Sequence, residues 1–112
     1  DEAVEKDGIR YVVMEANGEL KQMQNMVGEL TRDASKPTVA VVGSREGGGK
    51  LIVALTEGTI AAENHNAVEI LNNIASHIGG GGGGRPTFAQ GGGSNADGLV
   101  SALDAARSLL GF

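Results

Sequence analysis

At 112 residues, 40% hydrophobic but only 3% aromatic, the chain is long enough for one aliphatic core and too short for two. It contains no cysteine, which excludes disulfides, thiolate zinc sites and cysteine nucleophiles together and fits a reducing cytoplasm. A formal net charge of −5 leaves few cations for phosphate, so any nucleic-acid recognition has to be local.

The opening Asp1-Glu2-Ala3-Val4-Glu5-Lys6-Asp7 is charged and abrupt, which suggests a piece of a longer protein, and it does not read as a secretory leader. Ile9 to Ala16, rich in β-branched and aromatic residues, predicts a strand that Asn17-Gly18 breaks. From Glu19 to about Ala34, Leu20, Met23, Val27 and Leu30 recur at helical spacing and predict an amphipathic helix. Its methionines sit at core spacing and read as filler. Lys36-Pro37 ends the helical region.

Thr38 to Ser44 is a nearly continuous apolar run, as in a strand covered on both faces. It is also the longest strand-like apolar run, and falls far short of the roughly 20 residues that span a bilayer. Strand, helix and strand make a βαβ unit with a right-handed crossover. The short loop Arg45 to Gly49 then predicts an antiparallel hairpin with a strand over Lys50 to Thr56. The ending Gly49-Lys50 imitates a phosphate-binding P-loop, but Ser44 stands where that motif needs glycine and Leu51 where it needs Ser or Thr, and a strand follows instead of a helix. Nucleoside triphosphate binding is therefore rejected. Arg45 and Lys50 stay as candidate phosphate contacts against the simpler reading of a solvated hairpin tip.

Thr59 to His65 carries no clear signal. Asn66 with Glu69 makes a capping box, and Ala67, Leu71, Ile74, Ala75 and Ile78 form the apolar stripe of a helix closed by Gly79 in a left-handed cap. Six consecutive glycines, Gly79 to Gly84, then precede Arg85-Pro86, the apolar Phe88 and a second triplet, Gly91 to Gly93. Each ordered glycine costs about 0.5–1 kcal/mol relative to alanine. A flexible linker would carry Ser, Thr or Glu and join two cores, whereas too little chain follows here to build a second one. The run therefore reads as an ordered loop within one domain, with Thr87 to Gln90 as a short additional strand. Because that loop leaves the negative end of a helix, an anion there would depend on backbone N–H groups or on Arg85. Leu99 to Leu110 reads as a final helix whose positive end lies beside the second triplet.

The sequence thus predicts a single α/β domain over residues 1–112, with a mixed sheet of about four strands, three helices and an ordered glycine-rich loop at one end. His77 falls in the last turn of its helix and His65 in a loop. No metal-ligand spacing, nucleophile–base set or converging carboxylate pair appears, so neither catalysis nor a cofactor is expected of this chain.

Gly79 to Gly93 follows the pattern Gly-Gly-x-Gly-Gly-Gly-Arg-Pro-x-x-Ala-Gln-x-Gly-Gly, and it resembles the signature of the DHH-associated domain in the form that closes alanyl-tRNA synthetases. The strand Leu51 to Leu55, the helix Ala67 to Ile78 and the helix Leu99 to Leu110 fall in the order of that domain, so the resemblance covers nearly the whole chain. It implies a non-catalytic accessory module that helps bind tRNA for alanine near the outer corner of the L and can contribute to a homodimer. It also implies upstream aminoacylation and editing domains on the same chain, joined through a helical segment of which residues 1–7 would be the end. In the expected site, Gly80, Gly82, Gly83 and Gly84 let the backbone approach RNA. Arg85 contacts phosphate or stacks on a base, Gln90 hydrogen-bonds nearby, and Arg45 and Lys50 add charge. The simpler reading is that Arg85 and Gln90 only pin the loop to its own domain. Two alternatives are an assembly module seated through Leu109-Leu110-Gly111-Phe112 and the substrate-binding half of a DHH-family phosphoesterase. That second family typically carries Gly-Gly-His where this chain has Gly-Gly-Arg85-Pro86.

Overall fold

Two strands set the centre of the domain, because their residues are almost all buried: Thr38–Ser44 (β3) and Gly49–Leu55 (β4), paired antiparallel. A strand this apolar on both faces needs a layer of helices above and below. In the computed structural model, which describes residues 3–111, those layers are unequal. One face is covered by Leu20–Thr31 (α1), through Met23 and Val27 against Ala40, Val42, Ile52 and Ala54. The other is covered by Ile60–Asn64 (α2), Ala67–Ile74 (α3) and Leu99–Leu110 (α4), which pack on Val39, Val41, Leu51, Val53 and Leu55. Alternate residues of β4 therefore belong to different cores, the expected consequence of a period of two.

The remaining strands are Ala3–Lys6 (β1), Ile9–Glu15 (β2), Gly80–Arg85 (β5) and Phe88–Gly93 (β6). Among the described residues the sheet has six strands in the order β1-β2-β3-β4-β6-β5. Only β2 and β3 run parallel, across the βαβ crossover that α1 supplies. The mixed sheet, the crossover and the β3–β4 hairpin agree with the sequence reading, and β3 and α4 begin and end where it placed them. Asn66 caps α3 through its side-chain oxygen, which accepts from the N–H groups of Val68 and Glu69. Gly79 closes the following 3-10 turn, Ala75–Ile78, with φ of 69°.

Three expectations are corrected. The sheet has six strands instead of about four, and four helices stand in place of three, because Thr59 caps α2 in the stretch that carried no signal. Ala3–Lys6, in the stretch expected to end an upstream helical segment, is an edge strand turned onto β2 by Asp7 and Gly8, at φ of 56° and 82°. An Asp-Gly pair with both residues at positive φ is the favoured two-residue hairpin turn. Finally, the glycine run is no loop but a strand, paired with β6 from Gly80↔Gly93 to Arg85↔Phe88.

The Pro86-Thr87 turn of that last hairpin is tied down at both carbonyls. Thr87 accepts from the Leu55 N–H at 2.9 Å and Pro86 from the Ala67 N–H at 2.7 Å. This anchors the tip of the glycine hairpin to the end of β4 and the start of α3.

Candidate functional site

Polyglycine has no intrinsic preference for a strand, so its place in the sheet needs a steric reason. On β5 that reason alternates. A Cβ on Gly82 would collide with the carbonyl oxygen of Gln90 on β6, and the same holds for Gly80 against Gly92 and Gly84 against Phe88. From β6, a Cβ on Gly91 would lie 2.6 Å from the Gly81 carbonyl oxygen. These positions cannot give way, because the obstacle is backbone held in a ladder. A Cβ at Gly81 or Gly83, in contrast, meets no atom within 4 Å. Three of the four glycines expected in the site, Gly80, Gly82 and Gly84, are thus required by the hairpin itself, and Gly83 is not.

Register places the open positions. Gly81, Gly83 and Arg85 pair with Gly92, Gln90 and Phe88, and directly paired residues share a face. Phe88 packs into the α1 core, so this is the α1 face. Lys50 pairs with Gly92 and, two residues from Ile52, lies on the same face. Because α1 covers β3 and β4 and β5 is the edge strand, the outer ribbon carries an exposed strip of Gly81, Gly83 and Arg85 beside Gln90 and Lys50.

Of the sequence-predicted residues the structure brings Gly83, Arg85, Gln90 and Lys50 onto this strip and leaves out Gly80, Gly82 and Gly84, which alternate to the other face of β5, and Arg45. The Arg85 side chain is exposed and makes no hydrogen bond or ion pair among the described residues. The Lys50 ammonium donates to the Glu46 carbonyl within its own turn. Gln90 accepts a hydrogen bond from Gln24 of α1 at 2.8 Å, a partner 66 positions away that no sequence signal announced. Arg45 instead forms a two-pronged pair with the Glu15 carboxylate at 2.9 and 3.2 Å, which spends its planar fork on its own domain.

The two histidines stand apart from the strip. His77 is exposed at the end of the 3-10 turn. His65 ends α2, and its Nε2 meets the Tyr11 hydroxyl at 2.9 Å. Burial, and secondarily the charge of Lys6, hold its pKa below the ordinary histidine range. Since the fold disfavours the protonated ring, the unfolded chain binds the proton more readily, and stability is lost as pH falls through the histidine range. Urea unfolding from about pH 7 to about pH 5 is expected to show a decline for the native chain that is smaller in His65→Gln, which keeps an acceptor for Tyr11. An identical pH profile in the two proteins would contradict this. Among the described residues no group of three His, Cys, Asp or Glu side chains is placed to hold a metal ion, and no helix is long and apolar enough to cross a membrane.

Comparison with known proteins agrees on one family. The DHHA1 domain model matches residues 7–111. An alanine–tRNA ligase from Methanothrix thermoacetophila is 36% identical over 110 residues, which is 96% of this chain and 12% of that protein. The corresponding enzyme of Pseudoalteromonas translucida is 34% identical over 105 residues, again 12% of its length. The chain therefore spans about an eighth of the curated relatives it matches. The crystal structure of the C-Ala domain from Aquifex aeolicus alanyl-tRNA synthetase superposes with a TM-score of 0.80 over 98% of each chain, at 22% identity, a likeness of fold.

Proposed function

The chain belongs to the DHHA1 domain family, and from that premise we propose that it is a non-catalytic tRNA-binding accessory module of an alanine–tRNA ligase. In this reading it grips tRNA for alanine at the outer corner of the L and supports aminoacylation and editing by upstream domains of the same cytoplasmic protein. The relatives that span nearly this whole chain bear the name alanine–tRNA ligase, which favours this reading over a DHH-family phosphoesterase. One observation carries the choice of surface: Gly81 and Gly83 are glycines that the hairpin does not need. On an exposed edge strand each forfeits stability relative to a side chain with strand preference, and the gain is a backbone that a bulky partner can approach. Arg85 at the end of the strip and Lys50 on its inner border supply the charge for phosphate, while Arg45, paired with Glu15, contributes little.

Binding of the chain to intact tRNA for alanine, against an acceptor-stem minihelix, tests this across a salt series. Intact tRNA is expected to win with a shallow salt slope, since few phosphates are contacted. Arg85→Ala is expected to lose roughly fivefold to tenfold in affinity, as for one charge-assisted contact at an exposed site, with an unchanged circular dichroism spectrum. Equal binding of both RNAs, or none of either, would reject the proposal.

A second reading, self-assembly, is favoured by one feature. β5 is an edge strand with no side chain between Gly80 and Gly84 to guard it, and unguarded edges pair with other chains. A concentration-independent monomer in sedimentation equilibrium would remove it. Phe112, part of the apolar terminus expected to seat in a partner, lies outside the described residues.

A further inference from the structure

On the α1 side of the ribbon lies a cavity of about 200 Å³, lined by Leu20, Lys50, Gln90, Gly91 and Gly92. Leu20 opens α1 and offers an apolar plate, and Gly91-Gly92 offers bare peptide planes with no side chain to hold a ligand away. A space of this size and composition suits one flat ring system, and it is too small for a base pair.

Gln90 lines the cavity, and Gln24, hydrogen-bonded to it from α1, stands behind that lining; together they narrow the choice. The Gln24 and Gln90 amides are locked together by the bond from Gln24 Nε2 to Gln90 Oε1, so neither is free to swing. Within that pair Gln90 keeps its NH2 donors and Gln24 its carbonyl acceptor, and exchanging both amide orientations leaves the same complement. A fixed donor beside a fixed acceptor matches the hydrogen-bonding edge of a nucleobase. The Lys50 ammonium has used one of three donors on Glu46 and keeps its charge for an adjacent phosphate. The cavity is continuous with the Gly81, Gly83 and Arg85 strip through the Gly92 and Gln90 pairings.

We propose that this slot takes a single unpaired nucleobase, held between Leu20 and the Gly91-Gly92 backbone, read by Gln24 and Gln90, with its phosphate on Lys50. The inference rests on the RNA-binding reading and deepens it, making the module a reader of one splayed-out base in addition to a grip on backbone.

The test titrates the chain with tRNA for alanine and with two short single-stranded oligoribonucleotides, one carrying 2-aminopurine at its centre and one abasic there. The 2-aminopurine fluorescence is expected to change on binding, and the abasic strand to bind about tenfold or more weakly, as expected for one stacked base. Gln24→Leu combined with Gln90→Leu keeps side-chain volume and is expected to erase most of that difference. Lys50→Met is expected to weaken both strands alike. If tRNA binds but the abasic and base-bearing strands bind equally, the slot is overturned and the RNA-binding reading stands. If neither tRNA nor either strand binds, both fall.

Discussion

Gly82→Ala is expected to disrupt the β5–β6 hairpin and to lower stability by about 3 kcal/mol or more, at or above the upper end of overpacking costs. The added methyl would enter the space of the Gln90 carbonyl oxygen, and that oxygen cannot retreat. β6 is held on its other side by β4, along a ladder from Gly49↔Gly93 to Ala54↔Phe88. Relief must come from parting β5 from β6, which exposes backbone groups that had been paired. Against a total stability of about 5–15 kcal/mol for a domain of this kind, the loss is large enough to read from a urea midpoint. Gly83→Ala is the matched control, since nothing lies within 4 Å of its Cβ. It is expected to leave the midpoint unchanged or to raise stability by about 0.5–1 kcal/mol. Equal destabilisation by the two substitutions would show that the alternation along β5 has no energetic consequence.

Replacing the open pair together is expected to move stability and function in opposite directions. Gly81→Thr with Gly83→Thr puts β-branched residues on an edge strand where space is free, so stability rises by up to about 2 kcal/mol for the two sites. The same two side chains raise the floor of the exposed strip and hold a partner off its backbone. Affinity for tRNA for alanine is expected to fall more than tenfold, about 1.4 kcal/mol or more, a trade of function for stability common at binding sites. A more stable protein that binds tRNA as well as the native chain would place the interface on another surface.

Much of the scaffold was legible because its signals are local. The apolar run of β3, the Leu20-Met23-Val27 stripe of α1 and the Asn66 cap each lie within one short window, and the observed elements match them closely. α2 escaped because five residues are too few to show a helical period, although Thr59 accepts the Ala61 N–H as an N-cap should. β1 escaped although Asp7-Gly8 is a strong hairpin signal, because four mostly exposed residues, Ala3 to Lys6, show no apolar alternation. β5 escaped for a deeper reason. Glycine is read as loop from local preference, and what makes this segment a strand is a partner, β6, that is itself fixed by β4 from more than thirty positions upstream.

The site divides in the same way. Sequence alone determined that Gly79 to Gly93 belongs to a single domain, that Arg85 and Gln90 accompany it and that aliphatic residues support it, since composition and spacing carry those facts. Tertiary structure alone decided which glycines the hairpin requires and which have open space for a side chain, that Arg45 is engaged by Glu15, and that Gln90 is engaged by Gln24. A steric clash or a side-chain pair depends on which atoms lie across the ladder or across the layer. That neighbour is set by strand register and helix placement, and neither is contained in the window of sequence that surrounds the residue.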